Sequence, residues 1–520
     1  MPRLGTGDVE SLRAHSVPIP SNIDPCASSD WFKSAHAKSR PTSKDLSHHF
    51  SIESRSLVGS AIKAFANQHK TSKIIALGEG RPVPEYYPWE HLSFRGISSS
   101  LNNIEAGSKD EGALQSVAKQ GDSYNISSAL NYGHAVGSSY LVRFLTEHVE
   151  MVHDPPYADW KVCLSCGSTS ALELALRIFC NRGDTVLTEQ YTYSTAIEAA
   201  TLVGLRVQGV SMDPEGLRPD CLDEILRTWD PSRGPKPRLL YSIPTGQNPT
   251  GTTQSAGRRQ AIYQLAEEHD LIIVEDDPYY YLQLGPYLDR PSTRDNTEEL
   301  KLDETFINPS QVPSYLSIDR SGRVVRLDST SKILAPGLRT GWVTASSAII
   351  EKFVCYNDVC VGGVNGPSQL MLWTLLDRSW GHSGFLTWLE NLSKDYCSRR
   401  NIILQACDRY FPKDICHWTP PEFGMFLWIN LDLAKHPVHR SATSLGGDHS
   451  QQAEIEERIQ SNALKNGVKV AKGSLFSADR RYDGKLQFRI TYAAASKGDL
   501  DEGVRGLSNA IRKEFSLSPI

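Results

Sequence analysis

One stretch, Ser329-Thr-Ser-Lys-Ile-Leu-Ala-Pro-Gly-Leu-Arg-Thr-Gly-Trp342, sets a lysine, serine hydroxyls and an arginine around a Pro-Gly turn. A lysine amine condenses with an aldehyde to an imine, and a desolvated lysine gives up its proton more readily. Ser329, Ser331 and Arg339 offer donors to a phosphate. These are the groups needed to hold a phosphorylated aldehyde covalently at Lys332. The run Val324-Val-Arg-Leu-Asp328 before it reads as a buried strand, so the lysine stands where a strand ends.

Other apolar runs end in equally specific chemistry. After Leu239-Leu-Tyr-Ser-Ile243 comes Pro244-Thr-Gly-Gln-Asn-Pro-Thr-Gly251, whose glycines and prolines force a tight turn that aims Asn248 outward. After Leu271-Ile-Ile-Val274 comes Glu275-Asp-Asp-Pro-Tyr-Tyr-Tyr281. Acidic groups at the end of a buried strand are costly unless they meet a positive group. A protonated pyridine nitrogen is one such group. Cys166-Gly-Ser-Thr-Ser170 runs straight into the apolar helix pattern Ala171–Phe179, where free backbone N–H groups and hydroxyls serve either as a phosphate site or as a simple cap.

These residues need a scaffold that brings strand ends together. Short apolar runs at 161–164, 185–187, 205–210, 238–243, 271–275 and 324–327 alternate with helical patterns, including 170–180 and 257–269. Such alternation predicts an α/β domain with a mostly parallel sheet, with ligands beyond the carboxyl ends of its strands. After about residue 370 a long helical stretch, Phe426–Leu431, a helix near 451–466 and Lys485–Thr491 read as a smaller α+β domain. Residues 1–50 show no sustained period and are expected to form an arm with little structure of its own. Polar insertions are expected at 101–128, 286–314 and 440–452.

Composition removes several classes. The chain has 520 residues and a formal net charge of −5, with no basic surplus to attract nucleic acid. No run of about 18 apolar residues marks a membrane span, and the first residues lack the pattern of a secretory signal. Ten cysteines are too few for a disulfide scaffold. Cys163 and Cys166 form a Cys-x-x-Cys, read as a buried strand end. His436 and His439 flank a proline in a polar loop and read as surface groups. No zinc-like spacing accompanies them, so no metal is expected. A reduced, cytoplasmic setting fits.

In this chain order the phrases Thr-Gly-Gln-Asn-Pro-Thr-Gly, Glu-Asp-Asp-Pro-Tyr-Tyr and Ser-Lys-Ile-Leu-Ala-Pro-Gly-Leu-Arg resemble the fold-type-I pyridoxal-phosphate (PLP) aminotransferases. The resemblance covers roughly residues 54–515. It is strongest to the subgroup of kynurenine/2-aminoadipate and fungal aromatic aminotransferases. It implies a large PLP-binding domain over 126–370 and a small domain from 51–125 and 371–520. Lys332 would hold the cofactor, Asp276 its ring nitrogen, and Tyr279 and Asn248 its phenolic oxygen. Tyr193 would stack on the ring, with Tyr191 a near competitor. Ser168, Thr169, Ser329, Ser331 and Arg339 would bind the phosphate, helped by Tyr132 across a homodimer interface. Arg489 would clamp the substrate carboxylate beside Asn248. Gly80, in Gly-Glu-Gly-Arg-Pro82, falls in a substrate-side loop where relatives have Gly-Gly-Leu-Pro or similar. Lys63 falls in a mobile flap. The expected activity is transfer of an amino group from an aromatic, kynurenine-like or 2-aminoadipate-like amino acid to a 2-oxo acid such as 2-oxoglutarate. The alternatives are a β-lyase, a decarboxylase, or an aminotransferase of a specialised pathway. A ligand-sensing regulator would need a DNA-binding module, which residues 1–50 do not suggest.

Overall fold

Seven strands form the central sheet of the computed structural model: β3 (Trp160–Ser165), β4 (Thr185–Glu189), β5 (Arg206–Val210), β8 (Leu239–Ser242), β9 (Ile272–Asp276), β10 (Val324–Ser329) and β11 (Gly341–Ser346). A hairpin of β1 (His91–Ile97) and β2 (Glu111–Ala118) precedes them in the chain, and the short pair β6 (Met212–Asp213) and β7 (Gly216–Leu217) follows β5. The structure describes residues 3–16, 18–19, 28–62, 77–78, 80–99, 111–121, 123–287, 312–440, 449–479 and 485–520.

The sheet order is β3-β11-β10-β9-β8-β4-β5. Only β11 runs against its neighbours. Its sequence, Gly341-Trp-Val-Thr-Ala-Ser346, was not among the runs expected to be strands. The remaining strands fall within a residue or two of expectation, and apart from the edge strand β5 their central residues are buried on both faces, as a sheet covered by helices requires. Helices Ser168–Phe179 and Ala256–Glu268 lie where the periodicity placed them.

The smaller sheet, in order β12-β13-β15-β14, is antiparallel. Its strands are β12 (Cys416–His417), β13 (Phe426–Leu431), β14 (Ala471–Lys472) and β15 (Leu486–Thr491). It is backed by helices Gly381–Tyr410, His449–Lys465 and Lys497–Glu514.

Two expectations about organisation change. First, the arm is built into the large domain. Val9, Leu46 and Phe50 join its core, Arg13 pairs with the buried Glu147, and the Lys33 ammonium donates to the Ala158 carbonyl at 2.7 Å. Its few apolar groups are too widely spaced to show a period, yet each finds a place in an existing core. Second, the described residues of 51–125 contribute no strand to the small sheet. Ser51 N–H donates to the Ile178 carbonyl at 2.8 Å. Leu92, Phe94 and Val117 of the hairpin pack on Tyr124, Ile126, Leu370 and Trp373. The insertion at 101–128 therefore contains β2, while 101–110 and 288–311 lie outside the described residues. Among the described residues no helix is long and apolar enough to cross a membrane.

Candidate active site

Strand register brings the chemical groups to one edge. Ser329 lies beside Gly341, and Gly341 beside Ser165. The loops that begin at Cys166 and Ser329, and the turn carrying Arg339, therefore open side by side. On the next strand Asp276 pairs with Leu327, one turn of chain before Lys332.

The first part of the site is a cradle for an anion. Helix Ser168–Phe179 begins behind Gly167, which has φ +88° and offers no side-chain cap. Its first N–H groups thus face outward with the positive end of the helix dipole. Arg339 adopts a left-handed conformation and donates to the carbonyls of Pro336 and Cys166, each at 3.0 Å. A Cβ on Gly167 would stand 2.5 Å from the Arg339 guanidinium and strain the φ of +88°, so a side chain there would push Arg339 aside. Arg339 has no carboxylate partner among the described residues, which leaves its charge for a ligand. The Ser329 hydroxyl donates to Ser331 at 3.0 Å, adding two hydroxyls to the same edge.

The second part is a buried carboxylate with half its bonds unmade. The Tyr241 hydroxyl donates to Asp276 Oδ2 at 2.7 Å. Oδ1 is buried and has no hydrogen-bond partner among the described residues. Burial, reinforced by the charges of Asp277, Asp328 and Glu189 against the Tyr241 bond, pushes this carboxyl up to about 7. A cationic N–H placed at Oδ1 would reverse that shift. The neighbouring acids differ in kind. Alternation along the strand turns Glu275 and Asp277 to the opposite face, where the fully buried Arg326 meets them at 3.2 and 3.3 Å and Arg259 at 3.8 and 4.0 Å.

The Lys332 loop is held from both sides. Thr330 Oγ1 donates to the Thr340 carbonyl at 2.8 Å, and the Trp388 indole to that of Ile333 at 2.7 Å. Burial and the charge of Arg489 lower the lysine's pKa, Asp276 opposes them, and Arg339 adds to the lowering. A larger fraction of Lys332 is thus the free amine, the form that can accept a proton or attack an aldehyde.

The third part is a cation between aromatic walls. The Arg489 guanidinium lies 4.5 Å from the Phe426 ring centre and 4.6 Å from that of Phe476. It donates to Asn248 Oδ1 at 2.7 Å and has no carboxylate partner among the described residues. The Asn248 side chain is also hydrogen-bonded to the buried Tyr279 phenol. Tyr193 is half-buried, close enough to influence both Tyr279 and Arg489. Tyr191 packs on Trp428, 5.4 Å between ring centres, in a cluster that includes Phe476. Gly246, at φ +52°, brings this loop against the small domain: a Cβ there would lie 2.7 Å from the Gly424 Cα.

Some expected residues stand apart. Tyr132 is 76% exposed and reaches none of these groups within one chain. Gly80 is exposed, with nothing within 4 Å of where a Cβ would stand, so the structure does not bring it to the site. Lys119 ties the segment that follows to the hairpin, donating to the Tyr87 carbonyl at 2.8 Å, while Tyr86 is 79% and Trp89 52% exposed. Lys63 lies outside the described residues. Cys163 is a buried strand residue, as read, but His436 is buried against Glu514 at 3.1 Å instead of lying at the surface. The sequence did not point to Tyr241, Phe426, Phe476 or Arg326. Tyr241, Arg326 and Phe426 lie within runs read only as strands, and each of the four acts through a partner far away in the chain.

Residues 100–507 match the family model described as aminotransferase class I and II. The chain is 45% identical over 481 residues to the aminotransferase swnA of Arthroderma benhamiae, spanning 91% of this chain and 92% of that protein. It is 38% identical to an aromatic amino acid aminotransferase of Schizosaccharomyces pombe, spanning 91% and 98%. Among solved structures it resembles the aminotransferase Aro8 of Candida albicans, with a TM-score of 0.84 and 36% identity, covering 92% of this chain and 100% of the other.

Proposed function

Because this chain belongs to the class I and II aminotransferases, which work with pyridoxal 5′-phosphate, we propose that its donor is an aromatic, kynurenine-like or 2-aminoadipate-like L-amino acid and its acceptor a 2-oxo acid such as 2-oxoglutarate. The observation that carries this reading is Arg489, a half-buried cation with apolar walls and no acidic partner among the described residues. A planar carboxylate suits its fork, and Phe426, Phe476 and Tyr193 suit an apolar substituent beside it.

The residues present fit the cofactor. The Gly167 cradle, Arg339, Ser168, Thr169, Ser329 and Ser331 would take its phosphate, and the unpartnered oxygen of Asp276 its ring N–H. Tyr279 and Asn248 would meet the phenolic oxygen, with Tyr193 over the ring. When bound, pyridoxal phosphate supplies an aldehyde and an electron-accepting ring. The protein does the rest. Arg489 and Asn248 fix the substrate carboxylate and so orient the bond from the α-carbon to its hydrogen. Lys332 Nζ, as the free amine, would accept that α-proton and be the group that delivers it back. Asp276 holds a negative charge where the ring needs a positive one. Arg489 holds the incoming 2-oxo acid by the same carboxylate, so one pocket serves both halves of the reaction.

The working unit proposed is a homodimer. Tyr132, Tyr86, Trp89 and Val58 are exposed on one chain, and a second copy would cover them and bring Tyr132 to a phosphate.

The test is to titrate the cofactor-loaded enzyme, without acceptor, with phenylalanine, tryptophan, kynurenine and 2-aminoadipate in turn. Spectral conversion of the cofactor to its amine form, reversed by 2-oxoglutarate, is the expected result. A cofactor unmoved by all four would refute the substrate class. Oxo-acid or amine products made continuously without an acceptor would indicate lyase or decarboxylase chemistry.

A further inference from the structure

We propose that His48, His49 and Asp270 bind one divalent transition-metal ion of the zinc class, clipping the N-terminal arm to the large domain. The histidines sit on the short turn Ser47–His49 of the arm. Asp270 lies in the turn between helix Ala256–Glu268 and β9, with φ +54°. Their ligand atoms all lie within 4.8 Å of one another, and no other such group of His, Cys, Asp and Glu occurs among the described residues.

The donor set suits zinc: imidazole nitrogens and one carboxylate. His48 Nε2 is 2.7 Å from Asp270 Oδ2, and His49 Nε2 is 3.0 Å from Oδ1. With metal bonds of about 2.0–2.1 Å, ligands on a tetrahedral ion stand about 3.3 Å apart, so small side-chain shifts would admit the ion. The independent sign is His49. It is 3% exposed; its Nε2 faces Asp270 Oδ1 across 3.0 Å without the alignment of a hydrogen bond, and its Nδ1 has no hydrogen-bond partner among the described residues. A buried imidazole left with only this unaligned contact is costly, and a metal bond at Nε2 would satisfy it.

The turn is held in place. Asp45 accepts from Ser47 N–H at 2.9 Å, Arg55 donates to the His48 carbonyl at 2.8 Å, and Phe50 is buried in the core. Of the opposing charges, Arg323 lies 3.5 Å from Asp270 Oδ1. It is already engaged by Glu267 at 2.9 Å and by the Leu271 carbonyl at 2.7 Å. His48 and Asp270 are half exposed, which leaves room for water to complete the coordination. Asp270 precedes β9 while Asp276 ends it, so the site lies at the opposite edge of the sheet from Lys332. Its role is to fasten the arm, not to take part in the reaction.

The test uses full-length, untagged, cofactor-loaded enzyme dialysed against a chelator. Zn2+ is titrated by calorimetry and Co2+ by visible absorption, on wild type, His48→Ala, His49→Gln and Asp270→Asn. Expected are one ion per chain, binding weaker by about tenfold or more in each variant, a melting temperature raised by Zn2+ only in wild type, and unchanged aminotransfer. His48 is exposed, so His48→Ala keeps the test intact if His49→Gln misfolds. No binding, binding unaltered in His48→Ala, or a thiolate charge-transfer band assigning the ion to cysteines would each overturn the proposal.

Discussion

Replacing Asp276 by Asn separates what this carboxylate does for chemistry from what it costs the fold. In the chain without cofactor, burial raises it from 3.8 to about 7. At about 1.36 kcal/mol per pH unit, the charged form destabilises the folded state by roughly 4 kcal/mol. The folded chain binds the proton more tightly than the unfolded one. Its stability therefore falls as pH rises from about 4 to about 7, and the loss is complete above that range. Asparagine has the same shape, still accepts from Tyr241, and carries no charge. Cofactor-free Asp276→Asn should thus be more stable than wild type at pH 8, by up to roughly 4 kcal/mol, with the gain fading toward pH 4. The same change removes the anion facing the ring nitrogen, and kcat should fall about 100-fold or more. Urea unfolding of both cofactor-free proteins at the two pH values, with kcat measured alongside, tests this. Equal stabilities at pH 8, or full activity in the variant, would refute the reasoning.

Four further outcomes are expected. Borohydride reduction of the loaded enzyme should leave the cofactor's mass on the peptide containing Lys332; a mass on any other lysine would displace it from its role. Arg489→Ala should raise KM roughly 10- to 100-fold for every amino acid and oxo acid tested, the range expected for a charge-assisted hydrogen bond, and an unchanged KM would remove it as the carboxylate clamp. Gly167→Ala, strained at φ +88° and pressed against Arg339, should weaken cofactor binding about tenfold or more, read by fluorescence titration. Arg326→Met would leave Glu275, Asp277 and Asp328 without their main cation and should destabilise the fold by about 3–5 kcal/mol in chemical denaturation.

The parts of the site visible in the sequence are those whose chemistry sits next to its own strand. Lys332 follows β10, Asp276 ends β9, Asn248 follows β8, and glycine or proline marks each exit. Local signals of that kind survive in a linear string. The parts that were not visible depend on pairing. Arg326 stands inside an apolar run and, read alone, is simply an unfavourable residue; its partners Glu275 and Asp277 are about fifty positions away. Phe426 and Phe476 enclose Arg489 only because β13 pairs with β15 and the Gly473–Phe476 turn folds over them. The arm's Val9, Leu46 and Phe50 follow no period because they fill niches in a core made by other segments. His48 and His49 show no metal spacing because the third donor is Asp270, brought close only by the fold.

The Glu275-Asp276-Asp277 triplet shows how narrow the boundary is between these two kinds of residue. Three adjacent acids read alike in the sequence, as a cluster in need of positive charge. Strand geometry divides them, because successive side chains leave opposite faces. Glu275 and Asp277 meet Arg326 and Arg259 inside the protein and are satisfied by the fold itself. Asp276 alone faces the edge where Lys332 and Arg339 gather, and of the three it alone combines an oxygen without a hydrogen-bond partner with the lack of an arginine ion pair among the described residues. A shift of one residue in β9 would exchange these roles. It would give Arg326 a single acid and put two carboxylates where the ring nitrogen needs one. The register of β9 against β10, fixed by Val324 opposite Ile273 and Leu327 opposite Asp276, is therefore as much a part of the active site as the lysine.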